Sequence, residues 1–579
     1  DAIFFPLIVF VARASLSAFS VKVISSSPPD ITIGFLPATP TNLSSDRVQN
    51  NQFTASWDDP HGTNPAGKYL LWFGDSTTRT SNQEYEINGA GSAGGSVEWH
   101  SLDEETLDAN SNYYWWIASS GSYGNGVSDY SSTGTGTGAT FTLDVAANGN
   151  ISVTVVNAGT GYTVDDRFTI DVSAAGVAAL DGTTDITGTW NTYNDVSGAY
   201  QLSYTGDITQ LFVDDQPMVN ARWPNAQFND DSIFSHSTWA EGDEGNSSNG
   251  SLTIDTSVHD PGSIDLDGSI GILNIGSFKT WSIEITDHNL ASDVITYNPS
   301  DLGGTYKPKH HYYFFEGKKE FIDTNNEWFH DKTNNILYLF PDDGLDPSNR
   351  SIKAKTTDYR VTFSAANYVK LKGINFFATT FQMTGDSDNN IIEECNFYFP
   401  SASRRMLGTT NGVGTPNVTQ LGTASNDNDV DNNHILECLF ENTEGEALRI
   451  YGDGNKIENN YFHHIDWSVS DLEGLMVSIY CVGTSNIFDN NSIHTTGASA
   501  TVLPGRQSIF SYNKVTNTGL LQSDGAVFQG TKNYVEGSVV HHNYVYDTEK
   551  YAFRYDAPGG DASEAGSYGI MHHNIADNT

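Results

Sequence analysis

The chain has 579 residues, 37% hydrophobic and 12% aromatic, which is enough apolar material for buried cores and too much for a disordered chain. Its 71 Asp and Glu against 28 Lys and Arg leave a net charge of −43. That balance excludes nucleic acid and anionic membranes as partners, since both need clustered Lys and Arg; it suits solubility in a salty medium, or divalent cations such as Ca2+ held on surface carboxylates. The length predicts roughly three to four domains. Gly at 54, with abundant Asn, Asp, Ser and Thr, predicts short strands joined by many turns, an all-β chain. The three cysteines, Cys395, Cys438 and Cys481, are an odd number without C-x-x-C spacing, so neither a disulfide framework nor a zinc knuckle is predicted.

Residues 1–37 open with the apolar run Ile3–Ala12 and end in "SSSPPD". The run reads as a secretory signal core, with Ala12-Arg13-Ala14 as a cleavage site, or as an apolar strand docked on a neighbour. It is too short to span a bilayer as a helix, and either reading favours an extracellular or cell-surface location. Triplets for N-glycosylation at Asn42, Asn150, Asn246, Asn249 and Asn417 matter only in a eukaryotic source.

From 38 to 133 short strands and turns recur, most legibly in "FTASWDDP", "KYLLWFGD" and "LDANSNYYWWIAS". Trp57, Tyr69, Leu107 and Tyr114 fall where a fibronectin type III domain places its core aromatics and tyrosine corner. The segment therefore resembles that β-sandwich, which implies a spacer or binding module. Tyr113–Trp116 offers either a sugar-stacking platform or, by strand alternation, core aromatics on one face. Residues 134–197 read as a small β module with Gly- and Asn-rich turns. Residues 198–355 form a denser β region marked by "ARWPN" and "NEWFHDKTNNILYLFP". Arg222, Trp223, Glu327, Trp328 and Asp331 there resemble pieces of the accessory β region that precedes the solenoid in bacterial β-helix glycoside hydrolases.

From 356 to 579 one pattern recurs: an aliphatic residue, two polar residues, Asn or Cys, any residue, then an apolar one. Its fourth positions are Cys395, Cys438, Asn460, Asn491, Asn513, Asn543 and Asn574, spaced by 43, 22, 31, 22, 30 and 31 residues. Such near-regular periods predict a solenoid whose stacked strands bury their aliphatic positions continuously. The pattern resembles the right-handed parallel β-helix of pectate-lyase-like proteins. "HHN" at His541–Asn543 and again at His572–Asn574 is then one rung repeated, with His542 and His573 stacked about 5 Å apart, and no metal site is predicted there. Cys395 and Cys438 fill the same core column as free thiols.

In β-helix enzymes the active groove lies on the outward side chains of one parallel sheet. Eleven residues past the ladder position stand Arg449, Asp471, Val502, Asp524 and Arg554, with Asp556 two further on. On "EALRIYG" and "YAFRYDA" alternation turns Arg449, Arg554 and Asp556 outward. "SDGAVFQG" and "YAFRYDAP" resemble strands of β-helix glycoside hydrolases. That resemblance implies Asp524 and Asp556 as a carboxylate pair, set about 8 Å apart as inverting hydrolysis requires. Arg449, Arg554, Arg506, Glu446 and Asp471 are the candidate substrate contacts on an extracellular polysaccharide, with no cofactor needed.

Two other readings stay open. A polysaccharide lyase would use Arg449, Arg506, Lys550 or Arg554 as base, commonly with Ca2+, but a −43 surface disfavours a polyanionic substrate. A structural or adhesive protein would self-associate through the solenoid end at Thr579, where the repeat shows no cap, or through the amino-terminal strand.

Overall fold

The computed structural model describes residues 180–579 apart from 277, 303, 308–310, 411–416, 425–429, 471, 473–475, 557–565 and the side chains of 532–533; before residue 180 it describes strand positions only. The fibronectin-like expectation at Trp57, Tyr69, Leu107 and Tyr114, and the reading of the apolar Ile3–Ala12 run, therefore lie outside the described residues. The chain divides into two compact units, one of residues 1–14, 25–180 and 369–374, the other of 15–24, 181–368 and 375–579. The second unit holds a right-handed parallel β-helix and the accessory β sheets that precede it in sequence. Among the described residues helical structure is confined to short 3-10 turns, as an all-β composition predicts.

Each turn of the solenoid contributes one short strand to each of three parallel sheets. In one turn Leu448–Ile450 lies in sheet A, Lys456–Glu458 in sheet B and Tyr461–Ile465 in sheet C. The chain then returns to sheet A at Val477–Cys481. Residues in register on successive turns are one strand spacing apart, about 4.8 Å. Inward positions stack like with like: the rings of Phe376, Phe397, Phe440 and Phe462 follow one another at 4.5, 4.7 and 5.1 Å between centroids.

The bend from sheet B to sheet C explains the sequence repeat. From Glu394 onward its first residue is exposed and left-handed, with φ of 52° at Glu394, 56° at Asn459, 53° at Tyr512 and 55° at His542. The next residue points inward and is the ladder Asn. Asn513 Nδ2 donates to Asn543 Oδ1 at 3.0 Å and to Phe488 O at 3.0 Å, while its own Oδ1 accepts from Asn491 N at 2.9 Å and Asn491 Nδ2 at 3.0 Å. The same set repeats from Asn460 to Asn574. A backbone that leaves the ladder to turn a corner thus keeps its buried polar groups paired. Cys395 and Cys438 end the column as buried free thiols, donating to backbone carbonyls instead.

The HHN repeat is accounted for by this corner. His541 and His572 stack at 5.0 Å and 5°, and His542 and His573 at 5.0 Å and 3°. They are stacked rungs, as predicted, with His541 half-buried and the other three exposed.

A second ladder, at the bend from sheet A to sheet B, was not anticipated. Asn390, Asn433, Asn455 and Asn486 pass a bond from backbone N to the next side-chain oxygen at 2.8 Å, and Asn486 N ends on Ser508 Oγ at 3.1 Å. Beside it Gly452 and Gly483 sit so close to the preceding turn that a Cβ on either would lie 1.9 Å from a carbonyl oxygen. Only glycine fits that approach.

The accessory region is antiparallel except where Val219–Asn220 pairs parallel with Glu327–Asp331. Its central sheet runs through Arg222–Trp223, Tyr312–Glu316, Ile270–Asn274, Thr280–Asn289 and Val294–Tyr297. The residues singled out in its sequence are structural. Arg222 is buried, donates from Nε to Pro224 O at 2.9 Å and lies 3.6 Å over the Phe314 ring. Buried Glu327 accepts from three backbone amides, at Arg222, Asp323 and Thr324. Asp331 closes a turn on Asn334.

This region packs on the loops that return from sheet C to sheet A. Trp467, Val469, Met476, Ala498 and Leu521 of those loops share a core with Ile233, Phe234, Trp239, Ile272 and Phe314. Asn274 Nδ2 donates to Leu521 O at 2.9 Å and Gln522 Nε2 to Thr280 Oγ1 at 2.9 Å.

Replacing Asn513 by Ala orphans buried donors and acceptors on two neighbouring turns. It should cost about 3 kcal/mol or more in urea unfolding, whereas His542→Asn at the exposed left-handed position should stay within about 0.5 kcal/mol of the parent.

Candidate active site

Sheet A carries the outward side chains that sequence reasoning sought, but not in the predicted column. Arg449 is in register with Gln420 on one side and Tyr480 on the other. Val502, however, faces Phe528 rather than Asp524, and Arg554 faces Gln529. Counting a fixed offset from the ladder Asn fails because the return loops from sheet C to sheet A differ in length, from 497–499 to 466–476. Asp524 sits in such a loop with φ 61°, two residues before strand Ala526–Thr531 begins.

Asp524 and Asp556 nevertheless come together. Arg554 lies on strand Tyr551–Asp556 and reaches back along the solenoid. Its Nη1 meets Asp524 Oδ1 at 2.5 Å and its Nη2 meets Asp556 Oδ2 at 3.0 Å. One guanidinium therefore bridges carboxylates from successive turns. The three side chains are 46% (Asp524), 21% (Arg554) and 33% (Asp556) exposed, open enough to meet a ligand. Gln529 Nε2 reaches Asp556 Oδ2 at 3.5 Å, and Tyr551, 65% exposed, holds its ring 5.9 Å from the Arg554 guanidinium carbon. Burial pushes the Lys550 amine down, against the pull of Glu549 and Asp524 nearby.

The other candidates part company. Arg449 does point away from the solenoid core, since Leu448 and Ile450 fill the interior, yet it is 6% exposed and donates to fully buried Glu446 at 2.7 Å. The expectation of an open groove at Arg449 and Glu446 is corrected: this stretch of sheet A is covered. Arg506 is exposed at the bend from sheet A to sheet B, bridged through its backbone to Thr484. Asp471 lies outside the described residues.

Sequence reasoning missed a buried charged cluster where the accessory region meets the solenoid. Arg405 is 4% exposed, grips Glu316 through two bonds of 2.7 and 3.2 Å, and meets Glu444 at 2.6 Å. Arg222, Glu316, Arg405, Glu444, Trp328 and Trp467 line a cavity of about 40 Å3. That volume holds a few waters and no sugar ring. No short motif could reveal this cluster, because Glu316 and Arg405 are 89 residues apart.

Asp466, on the return loop, is buried beside Ser478 and Glu446. Burial pushes its carboxyl well above the usual range, the Glu446 charge adds to this, and the Ser478 hydroxyl opposes it.

A family model described as "Right handed beta helix region" matches residues 421–578. No curated protein sequence matches the chain. A solved structure titled "Glycoside hydrolase" superposes with a TM-score of 0.49 at 12% identity, covering 69% of this chain and 82% of that one. Among the described residues no helix is long and apolar enough to cross a membrane.

The Asp466 acid yields a pH prediction. A carboxyl raised in the folded state contributes stability below its unfolded value and loses it as pH rises through the folded value. Asp466→Asn removes that penalty while its amide keeps a partner for Ser478. Urea midpoints should be higher for the variant than for the parent at pH 8, with the gap closing by pH 4.

Proposed function

We propose that the chain acts outside the cell, binds a neutral polysaccharide along the outer face of sheet A, and hydrolyses it with Asp524 and Asp556 as the carboxylate pair. The observation that carries this reading is the Asp524–Arg554–Asp556 bridge: two half-exposed carboxylates from successive turns, gathered at one spot beside an exposed tyrosine. A sugar hydroxyl entering the bridge exchanges with the guanidinium, which then holds the sugar while one carboxyl protonates the glycosidic oxygen. The other carboxylate takes a proton from water on the opposite face of the ring. Tyr551 offers an apolar face to a pyranose, and Arg506 a donor at the groove edge. Arg449 and Glu446 support sheet A from beneath the cover. A net charge of −43 repels uronates and favours uncharged sugars.

One observation favours a second reading, in which the chain binds glycans as an adhesive module without cleaving them. Arg554 occupies the gap between the carboxylates, where a hydrolase places sugar and water. A lyase is less well supported, since Arg554 is engaged by Asp524 and Asp556, and Lys550 lies near Glu549 and the same Asp524.

The test is reducing-end release and binding on xylan, β-glucan, mannan and galactan. Hydrolysis predicts release by the parent protein, a loss of about 100-fold or more in kcat for Asp524→Asn and for Asp556→Asn, and binding retained within about tenfold. Binding without release by the parent supports the adhesive reading. Neither binding nor release on any of the four contradicts both.

A further inference from the structure

A different constellation lies on sheet C. Glu441 and His463 are in register on adjacent turns, and His494 follows His463 on the next. His464 would ordinarily point the opposite way from His463. Its left-handed φ of 55° breaks the alternation, and the two rings stack at 3.7 Å on the same side. Equivalent left-handed positions on other turns are Ala378, Phe399, Asn442, Thr495, Asn517, Asp547 and Asn578, and among these positions 464 carries the histidine. One ligand atom each from Glu441, His463 and His464 falls within 4.8 Å of the others, and the three side chains are half-buried.

The surroundings resemble those of a metal site. His463 Nδ1 is 3.0 Å from Glu441 Oε1. His464 Nε2 is 3.2 Å from Asp231 Oδ1, and its ring stacks on Phe234 at 5.2 Å, so the accessory region fixes its orientation. His494 is tied to Thr495 Oγ1 at 2.7 Å, and the Tyr461 ring stacks on His463 from the other side at 5.5 Å.

We propose that Glu441, His463 and His464 bind a divalent transition ion of the zinc class, with Asp231 as a further ligand or as the carboxylate that orients His464. Two imidazoles and a carboxylate match the softness of zinc better than that of calcium, which takes oxygen ligands. Ligation would draw these atoms in to bonds of about 2.0–2.2 Å. Because Asp231 and Phe234 belong to the accessory region and the other three residues to sheet C, the ion pins one to the other. This site is independent of the carbohydrate reading.

The experiment uses the untagged, chelator-treated full chain titrated with Zn2+ by calorimetry and with Co2+ by visible absorption. The expected result is uptake at one tight site, an intense tetrahedral Co2+ band and a raised unfolding temperature. Glu441→Gln and His463→Gln should each weaken binding about 100-fold, and Asp231→Asn about tenfold. The exposed histidine pairs of the other sheet provide the control: His542→Gln with His573→Gln should leave the tight site unchanged. Circular dichroism of each variant without metal separates lost ligation from lost fold, and Glu441→Gln, isosteric and half-buried, is the variant least prone to unfold. No uptake by the parent, or uptake that survives Glu441→Gln and His463→Gln but falls in the His542/His573 control, overturns the proposal.

Discussion

The constraint on which the structure rests is the burial of backbone polar groups at the solenoid corners. A chain that turns from one parallel sheet to the next leaves its ladder, and an unpaired buried amide costs about 1–3 kcal/mol. The two asparagine ladders satisfy these groups turn after turn, each side chain accepting from the turn before and donating to the turn after. Because every link spans one turn, the ladders also lock the axial register. Register in turn decides which residues of sheet A face outward, and so which charges a ligand can meet.

The corners are uniform while the return loops are not, and function collects where uniformity ends. The long loop 466–476 and the shorter ones at 497–499 and 517–525 anchor the accessory region through Trp467, Met476 and Leu521. Where the accessory region docks on the return loops, Arg405 is sealed between Glu316 and Glu444, and on sheet A Arg449 is buried on Glu446. Buried ion pairs of this kind contribute little net stability, but losing one partner is costly. Further along the solenoid Asp524, Arg554 and Asp556 retain exposure.

Much of the fold was legible because one buried position repeats. The Asn and Cys ladder, the inward aliphatics and the stacked histidines all follow from a period set by the geometry of the turn. The second ladder carries the same signal, since Asn390, Asn433, Asn455 and Asn486 are spaced by 43, 22 and 31 residues, as are Cys395, Cys438, Asn460 and Asn491. The site was only partly legible. Asp524 and Asp556 do meet, but through the reach of an arginine rather than through shared register, because loops of unequal length separate the corner from sheet A. Asp231 beside His464, and Glu316 beside Arg405, belong to tertiary contacts that no periodicity encodes.

The account's central claim is that the exposed end of sheet A is the glycan face. The most direct measurement is a crystal structure of the chain soaked with an oligosaccharide of whichever neutral polysaccharide it binds. The account predicts a sugar ring over Tyr551, with its hydroxyls on Asp524 and Asp556 and Arg554 drawn away from at least one of them. A sugar bound elsewhere, with the Asp524–Arg554–Asp556 bridge intact, would contradict it.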